Sequence, residues 1–83
     1  MRSIEDVKMI LADALSLGER AKRLNSDSAL LGSLPELDSM GVINIIAALE
    51  EHFDIMVNDE EITADTFATL GSLTTFVDQK LAE

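Results

Sequence analysis

Cysteine, tryptophan and tyrosine are absent from the 83 residues, and histidine and proline occur once each. Without cysteine the chain has no disulfide, no thiolate metal ligand and no thiol nucleophile of its own. Its one histidine is His52, so a metal site would rest on carboxylates, and none is expected. Long apolar runs are also missing. The longest is Ile45–Leu49, far short of the roughly 20 residues that cross a bilayer. Basic side chains are few: six Lys plus Arg stand against sixteen Asp plus Glu, for a net charge of −10. Nucleic acid requires a basic face to displace its counterions. An anionic membrane surface has the same requirement. Both partners are excluded, and basic proteins, small molecules or cations fit instead. Near the N-terminus Glu5, Asp6 and Asp13 interrupt any secretory-signal core after Arg2. The expected setting is the cytoplasm.

Apolar residues make up 47% of the chain, which argues against disorder despite the charge. The length allows one domain, 1–83. Its core must come from Leu, Ile, Val, Ala and Met with three Phe, a composition that suits packed helices. The acidity is uneven. Residues 1–23 carry five basic and four acidic side chains, whereas residues 24–83 carry one basic (Lys80) and twelve acidic.

Ile4, Val7, Ile10, Leu11, Ala14 and Leu15 recur at helical spacing and predict a helix from Ser3 to about Leu17. Ser3 and Asp6 suggest a capping pair, and Gly18 a stop. Glu19–Leu24 can continue helically for a turn. The following stretch mixes turn formers (Asn25, Ser26, Asp27, Ser28, Gly32, Ser33, Pro35) with Leu24, Leu30, Leu31, Leu34 and Leu37. So many leucines predict an ordered loop lying on the core. The second helix is expected over Ser39–Phe53, with Asp38 or Ser39 at its cap. Met40, Ile43, Ile46, Ala47, Leu49 and Phe53 form its stripe, and Val42 and Ile45 widen it. Asn58–Ala68, opening on Asp59-Glu60-Glu61, predicts one short helix or an irregular turn, with Ile62 and Phe67 inward. A last helix follows Thr69, its cap, with Leu70, Leu73, Phe76, Val77 and Leu81 on one face. The expected fold is all-α. It is a small four-helix bundle of three main helices and one short one, with a long first loop.

Leu37-Asp38-Ser39-Met40 is the most informative stretch. It puts a hydroxyl at the first position of a helix, beside a carboxylate, after an ordered loop. A helix N-terminus offers free N–H groups and partial positive charge, so it can stabilise a phosphate esterified there. Plain capping by Asp38 or Ser39 is the commoner use of these residues.

The wider sequence resembles the acyl carrier protein superfamily of fatty-acyl, peptidyl and D-alanyl carriers. Leu37-Asp38-Ser39-Met40 is similar to its signature. Ala48-Leu49-Glu50-Glu51-His52-Phe53 matches the end of its second helix. Asp59-Glu60-Glu61 and Phe67-Ala68-Thr69-Leu70 match the approach to its last. The resemblance implies a four-helix bundle of acyl-carrier type with 4′-phosphopantetheine on Ser39. A phosphopantetheinyl transferase would install this arm from coenzyme A. The arm's thiol would carry an acyl or aminoacyl group as a thioester between partner enzymes. The chain would be a shuttle with no catalytic residues, serving fatty-acid or secondary-metabolite biosynthesis. Asp38 would orient the transferase or its metal. Met40, Ile43, Ala47, Glu50 and Glu51 would contact partners: an activating ligase, and an acyltransferase or synthase with a basic docking patch. Ile46, Leu49, Val57, Ile62 and Phe67 would line any space that sequesters an acyl chain. A monomer is expected, since nothing marks an isologous interface.

Two positions depart from the fatty-acid carriers, which usually place acids where Gly41 and Asn44 stand. The loop from Leu30 to Met40 looks closer to D-alanyl and peptidyl carriers. Other readings fare worse. An EF-hand from Asp54 to Asp65 fails, because Met56 falls at its third position and Asp59 at its sixth. A Ser39–His52 dyad fails because one helix separates the two by about 20 Å. The remaining rival is an unmodified acidic helical adaptor for protein–protein interaction.

Overall fold

Three stretches with apolar residues at helical spacing form the three main helices of the computed structural model, which describes residues 3–32, 34 and 37–82. They are α1 (Ser3–Leu15), α2 (Ser39–Phe53) and α3 (Leu70–Ala82). A 3₁₀ turn, Gly18–Arg23, follows α1, and a single 3₁₀ turn, Asp59–Glu61, is the short helix between α2 and α3. Ser33 and Pro35, read above as turn residues, lie outside the described residues, as does the side chain of Asp59. α1 packs against both α2 and α3. Val7, Leu11, Leu30, Ile45, Leu49, Leu70, Leu73 and Val77 are fully buried at the centre.

Both ends of α1 differ from the sequence expectation. α1 stops at Leu15, two residues early. Ser16 takes the left-handed conformation (φ 55°), and the Leu17 N–H donates to the Ala12 carbonyl at 3.0 Å. That is the six-to-one bond of a Schellman ending, made with Ser where Gly is usual. Gly18, also left-handed at φ 59°, then opens the 3₁₀ turn. Asp54 ends α2 in the same way, with φ 55° and Ile55 N–H to Glu50 O at 3.2 Å. The proposed Ser3–Asp6 capping pair is not formed among the described residues. Ser3 already lies inside α1, and the Asp6 carboxylate faces His52 across the α1–α2 contact, 3.8 Å away.

The long first loop is ordered because its backbone bonds to the start of α3. Leu30 N–H donates to Ala68 O at 2.9 Å, and Leu31 N–H to Phe67 O at 3.0 Å. In return Leu70 and Gly71 donate to Ser28 O (3.0 Å) and Ser26 O (2.9 Å). Two first-turn N–H groups of α3, which have no acceptor within their own helix, are thereby satisfied. Ala29 and Thr69 form an isolated bridge and, among the described residues, no strand develops. Thr69 caps α3 as expected, exchanging hydrogen bonds with Ser72 at 3.0 Å each way. Of the loop leucines, Leu30 and Leu37 are buried and Leu24 and Leu34 pack partly against the core. Leu31 is the exception, at 43% exposed. Its neighbour Leu30 takes the inward position, which turns Leu31 outward. Leu81, expected on the α3 stripe, is also exposed, in the last turn of the helix.

The loop approaches α3 so closely that position 71 has no room for a side chain. A Cβ on Gly71 would lie 2.7 Å from the Ser26 carbonyl oxygen. Helix propensity alone favours Gly71→Ala by about 1 kcal/mol. The contact opposes this, and we expect net destabilisation of about 1–3 kcal/mol. A urea melt of the variant checks the sign, since propensity and packing predict opposite shifts of the midpoint.

Lys80, the one basic residue after Arg23, ties α3 to the Asp59–Glu61 turn. Its Nζ lies 2.7 Å from Glu61 Oε1, and its side chain is only 8% exposed. The Lys80 hydrogen bond, reinforced by the Asn58 N–H at 3.0 Å, holds the Glu61 carboxyl below its ordinary value of 4.5. A depressed carboxyl contributes stability that is present above the unfolded pKa. It is lost as pH falls through the lower folded value. Glu61→Gln is therefore less stable than the parent near neutrality, and the gap closes as pH is lowered below 4.5. Thermal melts of both proteins along a pH series measure it.

Candidate functional site

The loop delivers its last buried anchor, Leu37, immediately before Asp38. Leu37 N–H donates to Leu34 O at 3.0 Å, which fixes the turn into α2. Asp38 is the N-cap. It has extended backbone (φ −106°, ψ −168°), and its Oδ1 accepts from Gly41 N–H at 2.8 Å. The Asp38 carbonyl accepts the first helical bond, from Val42 N–H at 2.9 Å. The cap is Asp38, which leaves Ser39 as the first helical residue with its side chain exposed.

This assignment separates two roles that the sequence left open. Asp38 does the capping with one carboxylate oxygen. The Ser39 hydroxyl makes no hydrogen bond among the described residues and stands in solvent. Around it, the N–H groups of Ser39 and Met40 have no acceptor within the helix. The residues present therefore fit a phosphate ester: an accessible hydroxyl with a helix N-terminus behind it. Cap loss by Asp38→Ala would cost about 1 kcal/mol.

The remaining candidates lie on two faces of α2. Met40 (64% exposed), Ile43 (60%) and Ala47 point outward. The sequence reading grouped them with Ile46, Leu49 and Phe53 on one apolar stripe, which the structure divides between two faces. The buried face is Gly41, Ile45, Ile46, Leu49 and Phe53, one step around the helix. Spacing of three and four matched both faces, because α2 is apolar nearly all round. Residues 39–49 contain no charged side chain at all.

Glu50 and Glu51 differ from one another. Glu50 is half-buried, and its Oε2 accepts from Val57 N–H at 2.9 Å, holding the chain that leaves α2. Glu51 is exposed. The adjacent His52 is exposed at the surface yet reaches α1 through Asp6. Of the suggested acyl-lining residues, Ile46, Leu49 and Phe67 are buried in the core, and Val57 and Ile62 pack partly against it. Among the described residues no helix is long and apolar enough to cross a membrane.

Comparison with known proteins agrees with this geometry. Residues 5–77 match the family described as "Phosphopantetheine attachment site". An acyl carrier protein of Clostridium acetobutylicum is 36% identical over 73 residues, 88% of each chain. The solution structure of a holo acyl carrier protein from Nitrosomonas europaea superposes with a TM-score of 0.92 and 57% identity, covering all of both chains. With this fold, this helix start and these relatives, the chain belongs to the phosphopantetheine attachment family and is a carrier of acyl-carrier type with a phosphopantetheine prosthetic group, not an enzyme.

Proposed function

We propose that Ser39 bears the arm, and that one domain spanning 1–83 carries an acyl or aminoacyl group on it as a thioester. The observation that supports this most is the division of labour at the start of α2. The cap is already made by Asp38 Oδ1, so the exposed Ser39 hydroxyl is left without a structural task. When bound, the arm supplies the thiol that the chain lacks. Asp38 keeps its second oxygen for a cation brought by the phosphopantetheinyl transferase, beside the serine being modified.

The exposed apolar strip Met40, Ile43 and Ala47 would meet the apolar part of partner surfaces. Glu50 and Glu51 would supply the acidic end for a basic docking patch, Glu51 the more accessible of the two. The partners would be an activating ligase for the cargo and an acyltransferase or synthase that receives it. The chain would work as a monomer in the cytoplasm, in fatty-acid or secondary-metabolite biosynthesis.

Incubation with coenzyme A and a broad-specificity phosphopantetheinyl transferase tests the reading. Intact mass should rise by one phosphopantetheine. An unchanged mass, with a control carrier loaded in the same tube, would favour the adaptor reading.

A further inference from the structure

Methionine is the only sulfur-bearing residue type in this chain, which has four of them and no cysteine. The composition put methionine among the core formers. Among the described residues, however, the core and the apolar side chains packed against it are Leu, Ile, Val, Ala and Phe, with no methionine. Met9, Met40 and Met56 are instead 52%, 64% and 80% exposed. A flexible thioether that elsewhere fills gaps in an interior stands here in solvent.

Met40 differs from the other two in its surroundings. It follows Ser39 in the first turn of α2 and shares an outward face with Ile43. No side chain from 39 to 49 is charged, so a contact at this face depends on apolar surface. Met9 lies within α1, and Met56 lies beyond the end of α2.

An exposed thioether is open to peroxides. Its sulfur attacks the terminal oxygen of a hydroperoxide. The S–O bond forms as the O–O bond breaks, and the proton of that oxygen passes to the departing alkoxide. The products are a sulfoxide and an alcohol, or water from hydrogen peroxide. Sulfur gives up two electrons and the peroxide gains them. The sulfoxide is polar, and methionine sulfoxide reductases return it to the thioether. At Met40 the change puts a polar group on the apolar strip beside Ser39 and leaves the core as it was.

We propose that Met40 is a reversible peroxide-oxidation site whose sulfoxide weakens docking of the enzymes that act on the Ser39 arm. This rests on the carrier reading.

The unloaded chain, Met40→Leu and the double variant Met9→Leu/Met56→Leu are each treated with hydrogen peroxide, which is then removed. Peptide mapping locates the added oxygen. Loading by a broad-specificity phosphopantetheinyl transferase is then compared with the untreated sample of the same protein. Treatment should raise KM roughly three- to tenfold in the parent and in the double variant, with the melting midpoint unmoved. Met40→Leu should show no rise, although its Met9 and Met56 are oxidised. A sulfoxide reductase should restore the parent's KM. An unchanged KM with Met40 fully oxidised, an equal rise in Met40→Leu, or a displaced melt overturns the proposal. So does a map in which Met9 and Met56 carry oxygen and Met40 does not. If the untreated parent is not loaded beside a loaded control carrier, the carrier reading itself fails and takes the proposal with it.

Discussion

Ser39→Ala should abolish loading completely and leave the fold almost untouched. The two halves of this result come from one geometry. Ser39 is exposed and its hydroxyl has no hydrogen-bond partner among the described residues, so nothing structural is lost with it. The cap belongs to Asp38, whose Oδ1 takes the Gly41 N–H. Alanine is also the better helix former at this position. The melting transition should therefore move by less than the equivalent of about 0.5 kcal/mol, as for other surface changes away from special features. Loading needs the hydroxyl as nucleophile, and alanine has none. A variant that loses loading because it unfolds would show a displaced melt, and that outcome would contradict the assignment of the cap. Circular dichroism melts and intact mass on the same samples separate the two.

Phe67→Ala should have the largest effect on stability. Phe67 is 2% exposed, and it is one of the three aromatic side chains in the molecule. Its backbone also belongs to the seam that fastens the first loop, since its carbonyl accepts the Leu31 N–H. Truncating a buried Phe costs about 3–5 kcal/mol, the lost transfer energy plus the cavity left behind. A chain of this length has a total of only about 4–12 kcal/mol. The variant should thus lose a quarter or more of its stability and melt at least about 12 °C lower. A shift under about 4 °C would show that Phe67 is not the core contact described.

The elements of the fold were legible where one face is apolar and the other polar. α3 and its Thr69 cap follow directly from the spacing of Leu70, Leu73 and Val77 and from a hydroxyl just before them. The extent of α2 was equally legible, because Asp38 marks its start and the apolar pattern runs to Phe53. Which side of α2 is buried was not. Val42, Ile43, Ile45, Ile46, Ala47 and Ala48 cover most of the helix surface. Spacing cannot choose between two apolar faces. Only the positions of α1 and the loop do so. The left-handed ends at Ser16 and Asp54 were also hidden, since the rule for such ends favours Gly and the nearest glycine after α1 is Gly18.

At the site, the motif singled out the stretch that starts α2, but it left Asp38 and Ser39 interchangeable as caps. The 2.8 Å bond from Gly41 N–H to Asp38 removes that ambiguity. Glu50 and Glu51 look equivalent in sequence, and only the fold gives one of them an internal hydrogen bond. Asp13 and Glu51 line one groove although they stand 38 residues apart. No local pattern could announce it.

Peptide mapping of the loaded chain is the most direct test of the central claim. After transfer from coenzyme A, the protein is digested and fragmented, and the phosphopantetheine is located by mass. The account predicts a single modified residue, Ser39, with every other serine unmodified. A group found on any other residue, or a chain that stays unmodified beside a loaded control carrier, would contradict it.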